Sequence, residues 1–153
     1  MTRTVEVSPT RWEAFVWQRH FTSYRDFARS EFGAASYQAQ ETYLHWLYRD
    51  NPASARGYED MTVGVNAEGK VVGCVHKMQI NWSTRGKVIK IPAVHDLMVA
   101  EHYRRGLGLF LIMASFRGED FALIPAAAKN APFSSVYPKI RCSKVPAAWY
   151  RKI

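Results

Sequence analysis

The chain has 153 residues, of which 48% are hydrophobic and 14% aromatic; this suits a single globular domain over residues 1–153 and excludes a disordered tail. No apolar run approaches the ~18 residues of a membrane span, and the N-terminus has no signal-peptide core, so a cytoplasmic protein that does not engage a membrane is expected. The net charge of +8 gathers at the C-terminal end, where Lys129, Lys139, Arg141, Lys144, Arg151 and Lys152 face no acid, and the two cysteines, Cys74 and Cys142, imply neither a disulfide framework nor a zinc site.

Residues 2–7 alternate loosely and predict a short first strand. Thr10 then stands as a helix N-cap, with Glu13 at the capping-box spacing. Trp17, Phe21, Tyr24 and Ala28 recur at helical spacing and carry this helix from Arg11 to about Phe32, where Gly33 ends it. A second helix is expected from Ser36 to Tyr48, burying Tyr37, Leu44 and Leu47 and stopped by Asn51-Pro52. Residues 61–65 and 70–76 form the arms of a hairpin around Asn66-Ala67-Glu68-Gly69, and residues 78–82 continue its second arm. After a turn at Gly86, Lys87 to Val99 returns as the longest strand, interrupted near Pro92. Leu107 to Phe116 is helical and residues 121–124 form a short strand. Asn130 to Lys139 can form a helix despite Pro132, and Val145 to Ile153 is expected to end the chain as a strand. The order β-α-α-β-β-β-α-β-α-β describes an α/β domain with a mixed, mostly antiparallel central sheet flanked by helices.

The most informative stretch runs from Val94 to Met113: a strand, a short basic loop with two glycines, and an apolar helix. Free N–H groups of a helix's first turn and the positive end of its dipole favour an anion. Gly106 and Gly108 let the backbone approach a ligand closely, and Arg104 and Arg105 add charge.

Together with the element order, this segment resembles the GNAT superfamily of acyl-CoA-dependent N-acyltransferases. Asp96-Leu97-Met98-Val99 corresponds to the end of that family's central strand, and Arg105-Gly106-Leu107-Gly108 to its turn into the following helix. Asn130 to Tyr137 resembles its Asn-x-x-Ala/Ser-x-x-x-Tyr signature, with the Asn-to-Tyr spacing intact. Two departures stand out: the loop from Val99 to Gly106 is one residue shorter than usual, and Tyr103 falls where the family has Arg or Gln. The resemblance implies a GNAT-like fold and acetyl-CoA, or another acyl-CoA, as cofactor. It implies that Leu97, Met98 and Val99 line the cofactor's pantetheine arm. Arg104, Arg105, Gly106, Leu107, Gly108 and Leu109 would hold its pyrophosphate, with Asn130 beside it. Tyr137 would protonate the departing thiolate, a task suited to a donor that is neutral at pH 7.

Acyl transfer to an amine also needs a base, because the amine is mostly protonated at neutral pH. His95 and Asp96 are adjacent on the central strand, and period-two geometry points them to opposite faces, making them alternatives. Glu59, Asp60 and His76 are further candidates. An amide freed by a bulge near Met98 or Val99 would steady the developing oxyanion. Tyr37, Tyr43, Trp46, Tyr48 and Trp82 could line an acceptor pocket or fill the core. The expected activity is transfer of an acyl group, most simply acetyl, from acyl-CoA to a small-molecule or peptide amine by direct attack. The alternative is a catalytically inactive GNAT-fold module that binds CoA or another ligand. Nucleic acid is a poor candidate partner, since no helix-turn-helix, zinc-finger or RNP-type signature is present. A homodimer is the common prior for such an enzyme.

Overall fold

The computed structural model describes residues 10–54, 56–104, 106–120 and 122–124. Strand β1 (Arg11–Ala14) leads into helix α1 (Trp17–Phe32). A 3-10 turn at Tyr37–Ala39 precedes helix α2 (Glu41–Leu44), which continues as a π-type turn through His45–Arg49. A second 3-10 turn (Gly57–Asp60) opens onto strands β2 (Thr62–Val65), β3 (Val71–Thr84) and β4 (Lys87–Val99). A last 3-10 turn (Glu101–Tyr103) joins β4 to helix α3 (Leu107–Ser115). The strands form one antiparallel sheet in the order β1-β2-β3-β4, and Leu123 adds a parallel bridge to Ala93 on the outer side of β4.

The capping-box reading of Thr10 and Glu13 does not hold. Residues Arg11–Ala14 pair with Thr62–Val65, and the Phe15 N–H donates to the Met61 carbonyl at 2.8 Å. Sheet pairing, which places Phe15 in the core, wins over local helix propensity. The Glu13 carboxylate lies 3.0 Å from His20 Nε2 and 3.1 Å from Arg19, while His20 Nδ1 accepts the Val16 N–H at 2.8 Å and so caps α1 from inside the helix.

Nor is the second helix continuous. Gln40 is extended (φ −92°, ψ 131°) and separates the 3-10 turn from α2. Pro92 does not interrupt β4, because residues 92 and 94 turn their backbone groups outward: the Pro92 carbonyl accepts from Leu123 and the Val94 N–H donates to Leu123. The missing proline donor thus costs the ladder with β3 nothing. The irregularity of β4 lies four residues later, at Asp96. The 61–76 hairpin and the 107–116 helix form where the sequence places them. The expected strands over 2–7 and 145–153 and the helix over 130–139 lie outside the described residues.

Two cores sandwich the sheet. Helices α1 and α2 cover one face with Phe15, Tyr24, Leu44, Leu47, Tyr48, Met61, Val63, Val65 and Cys74. Helix α3 covers the other, where Leu107, Leu111 and Ile112 meet Val72, Val75, Val94 and Val99. Gly64 and Gly73, partners across β2 and β3, form the trough in which α3 sits: a Cβ on Gly64 would stand 3.0 Å from a Leu107 methyl, and one on Gly73 3.0 Å from a Leu111 methyl. This close seating fixes where the N-terminus of α3 emerges beside the end of β4.

Candidate active site

In the ladder between β3 and β4, His76 faces His95 and Cys74 faces Met98, so Val75 alone opposes Asp96 and Leu97. Asp96 has a φ of +48°, a left-handed conformation that Asp tolerates better than most non-glycine residues. The bulge reverses the parity of β4. Before it Val94 faces the α3 core and His95 the opposite side; after it Leu97 and Val99 face α3 and Met98 the other core. Asp96 is the inserted residue.

The expectation that His95 and Asp96 point to opposite faces is therefore wrong. Period two fails at a bulge, and the structure brings His95 Nδ1 to 3.3 Å from Asp96 Oδ2. Gln38 Nε2, from the segment between α1 and α2, donates to the same oxygen at 3.3 Å. Burial alone would raise the Asp96 pKa; hydrogen bonds from His95 and Gln38 and the neighbouring imidazoles outweigh it, and the carboxyl is held below its ordinary value. His95 Nε2 is buried and has no hydrogen-bond partner among the described residues. The bulge also lies before Met98 and Val99, which pair regularly with Cys74 and Gly73, so any amide it releases belongs to the Asp96–Leu97 segment.

The other candidates separate. His76 is wholly buried beside the pair, its ring 5.5 Å from that of His95 at 26°. Asp60 is buried 3.5 Å from the Lys77 ammonium, which also bonds Glu119 at 2.8 Å; burial raises the Asp60 pKa. Glu59 lines a cavity of about 640 Å³ together with Trp17, His45, Arg49 and Tyr58. Of the proposed acceptor-site aromatics, Tyr37, Tyr43 and Trp46 form a contiguous strip, with ring centroids 4.8 Å and 6.0 Å apart in turn; Tyr37 and Trp46 are exposed and Tyr43 between them is half-buried, and Asp96 raises the pKa of both tyrosines behind burial as the larger cause. Tyr48 is core, and Trp82 stands far along the β3–β4 hairpin.

At the C-terminal end of β4, the shortened loop closes through the Glu101–Tyr103 turn, with the Tyr103 ring against the α3 core. Gly106, at φ +100°, caps α3, a conformation that a Cβ would strain. The Phe110 N–H is bonded to the Gly106 carbonyl, so Leu107, Gly108 and Leu109 hold the first-turn amides that a helix leaves unpaired, with no acid in that turn. Arg104 turns back from this end: its Nε donates to the Val99 carbonyl at 3.0 Å and its outer nitrogen lies 3.6 Å from Glu31. It braces the loop where the sequence suggested a free charge. Arg105, Asn130 and Tyr137 lie outside the described residues. Among the described residues no group of three or more His, Cys, Asp or Glu could hold a metal ion, and no helix is long and apolar enough to cross a membrane.

The signal for the bulge was absent from the sequence, since Asp at a strand position gives no warning of a left-handed φ. Gln38 was missed for the same reason: only the fold brings the α1–α2 segment over β4.

These features define a known architecture: the chain has the fold of the GCN5-related N-acetyltransferases. It is similar to an acetyltransferase of Trypanosoma brucei at 16% identity, over 95% of this chain and 100% of that one, with a TM-score of 0.66. Glucosamine-6-phosphate N-acetyltransferase of Arabidopsis thaliana superposes at 13% identity over 94% of this chain and 98% of that one, with a TM-score of 0.64. The N-myristoyltransferase of Saccharomyces cerevisiae, solved with bound myristoyl-CoA, superposes at 12% identity over 76% of this chain and 27% of that one, with a TM-score of 0.55. No sequence-family profile matches the chain, and no curated protein matches it in sequence.

Proposed function

We propose that the protein is an acyl-CoA-dependent N-acyltransferase, moving an acyl group, most simply acetyl, to a primary amine. The observation that carries this is one strand: β4 bears the His95–Asp96 pair at its bulge and ends at the glycine-capped N-terminus of α3. Those two features are the ones acyl transfer from a phosphorylated thioester needs, a base and an anion cradle. The residues at the α3 end fit the pyrophosphate. The left-handed Gly106 clears the approach, the first-turn amides lack partners within the helix, and the first turn itself carries no acid. The cofactor supplies the acyl thioester. Leu97, Met98 and Val99 would flank its arm, and Leu107, Gly108 and Leu109 would hold its phosphates, with Arg105 adding charge and Arg104 fixing the loop.

On the α1–α2 side, ionised Asp96 attracts an ammonium group. His95 Nε2, buried and unpartnered among the described residues, keeps its lone pair because Nδ1–H faces Asp96; once the acceptor nitrogen reaches it, that lone pair would take the proton that must leave before the nitrogen can attack the acyl carbon. Apo contacts of such pairs are commonly long, as the 3.3 Å separation is here. Tyr137 is the proposed donor to the departing sulfur, on the strength of its Asn-to-Tyr motif. The acceptor's body would lie along Tyr37, Tyr43 and Trp46.

Calorimetric titration with acetyl-CoA, together with acetylation of a panel of amines, tests the reading. Binding is expected for the wild type and for Asp96→Asn, which keeps a side chain tolerant of left-handed backbone. Turnover of that variant should fall by about a hundredfold to ten-thousandfold. No heat from folded protein at millimolar acetyl-CoA would overturn the proposal.

A further inference from the structure

His76 has no exposed surface, and both its ring nitrogens are engaged. The Tyr24 hydroxyl donates its one proton to the Gln38 carbonyl at 2.9 Å, so at 3.0 Å from His76 Nε2 it can only accept; Nε2 carries the hydrogen. Nδ1 then holds the lone pair, and the Tyr48 hydroxyl donates to it at 2.7 Å. The imidazole is locked as the neutral Nε2–H tautomer between Tyr24 of α1 and Tyr48 of the π-type turn that continues α2. Its ring lies nearly parallel to that of Tyr48, with centroids 5.9 Å apart at 14°, and beside that of His95 at 5.5 Å.

We propose that His76 is a positioning residue for the His95–Asp96 pair: clamped by Tyr24 and Tyr48, it holds the His95 ring in the plane that turns Nδ1 to Asp96 and leaves Nε2 as the one imidazole nitrogen of the cluster without a partner among the described residues. The proposal rests on the reading of His95 as the base. A second function of the clamp follows from charge. A cation stacked on His95 would oppose its protonation, and burial pushes the His76 pKa down to about 3, so that His76 stays neutral wherever His95 works. The groups around His76, His95 and Asp96 are Tyr24 of α1, Tyr37 and Gln38 of the turn before α2, Tyr43 of α2, Tyr48 of the π-type turn that continues it, and Cys74 of β3. Burial raises the four phenols and the thiol above their ordinary values, so they stay uncharged at neutral pH and Asp96 is the only charged neighbour among them. His76 therefore does not compete with His95 for the proton, and the sequence-level option of His76 as the base itself is excluded by its two occupied nitrogens.

The test uses the full chain with ¹⁵N-labelled histidine, followed by NMR between about pH 5 and 8, the range in which an ordinary imidazole titrates. One histidine, assigned by its loss in His76→Gln, should remain a pure Nε2–H tautomer throughout. Tyr48→Phe removes the donor to Nδ1 while keeping the ring. It should mix the His76 tautomers, shift the His95 titration midpoint, and lower kcat by about tenfold to a hundredfold, with KM for acetyl-CoA within twofold. Tyr24→Phe, which loosens the other side, should shift the same His95 midpoint and serves if Tyr48→Phe does not fold. A His76 that titrates near neutrality in the wild type overturns the proposal. So does a folded Tyr48→Phe protein with unmoved His95 titration and kcat. If the wild type binds no acetyl-CoA, the acyl-transfer reading fails while the tautomer and titration measurements still decide the clamp.

Discussion

Replacing Gly73 by alanine puts a methyl group between the sheet and α3. The Gly73 backbone lies outside the left-handed region, so alanine carries no conformational strain there. Its Cβ would stand 3.0 Å from Leu111 Cδ1, 3.2 Å from Leu107 Cδ2 and 3.4 Å from the Met98 carbonyl oxygen. Leu111 is 0% and Leu107 6% exposed, so neither can yield without moving the helix. Overpacking of this kind costs about 1–3 kcal/mol, and the reduced unfolded-state entropy of alanine offsets about 0.4–1 kcal/mol of it. A net loss of about 0.5–2 kcal/mol lowers the melting temperature of a chain this long by about 2–6 °C. Circular dichroism melts and urea titrations read this directly. Leu111→Ala alone should cost about 2–5 kcal/mol. In the double variant the new methyl enters the vacated space, so the two losses should fall short of additivity by about 1 kcal/mol. A Gly73→Ala protein that melts at or above the wild type, with strictly additive double-variant energies, would refute the trough argument.

The depressed His76 pKa makes the fold sensitive to acid. The unfolded chain binds a proton near pH 6.5 that the folded chain refuses until about pH 3, so this stability is complete above 6.5 and is lost on acidification, at up to about 1.4 kcal/mol per pH unit. Urea midpoints from pH 7 to pH 4 should show that slope in the wild type and a shallower one in His76→Gln; equal slopes would contradict the buried neutral imidazole. Asp60, raised by burial, works in the opposite sense: its cost is present at neutral pH and is relieved as pH falls through the raised value toward 3.8. Asp60→Asn should accordingly be near neutral at pH 7, because Lys77 keeps Glu119, whereas Lys77→Met strands a buried carboxylate and should cost about 3–5 kcal/mol in urea denaturation.

Legibility of the fold followed the range of the forces that make each element. The β2–β3 hairpin could be read because its turn residues and alternating apolar arms are local, and α3 because nine nearly uniformly apolar residues follow a capping glycine. Strand β1 could not, because Arg11–Ala14 gains its hydrogen bonds from β2, about fifty residues away, while its own sequence imitates a helix cap. Arg104 shows the same limit in the site. A basic residue in a glycine loop reads as an anion ligand, and only the fold reveals that its Nε also donates to the Val99 carbonyl and that Glu31 stands 3.6 Å from its outer nitrogen. Asp96 and Leu97 were correctly placed at the end of the central strand, but their faces were not, since alternation is the assumption that a bulge breaks.

That break explains how one acidic residue both turns the backbone and meets His95 and Gln38 with its carboxylate. A left-handed φ at a non-glycine position costs on the order of 1–3 kcal/mol and persists only where the surroundings impose it. Here Val75 across the ladder, Gln38 above and His95 beside it all constrain Asp96. Glycine would relax the strand but remove the carboxylate; glutamate would keep the charge but is less suited to the left-handed conformation than the shorter side chain. Aspartate meets both demands, and its strain sits at the one place where the strand must change the face it presents. The same parity reversal that puts His95 beside Asp96 also returns Leu97 and Val99 to the α3 core. The His95–Asp96 contact and the packing of Leu97 and Val99 against α3 are therefore consequences of a single inserted residue, and a regular β4 would forfeit both together.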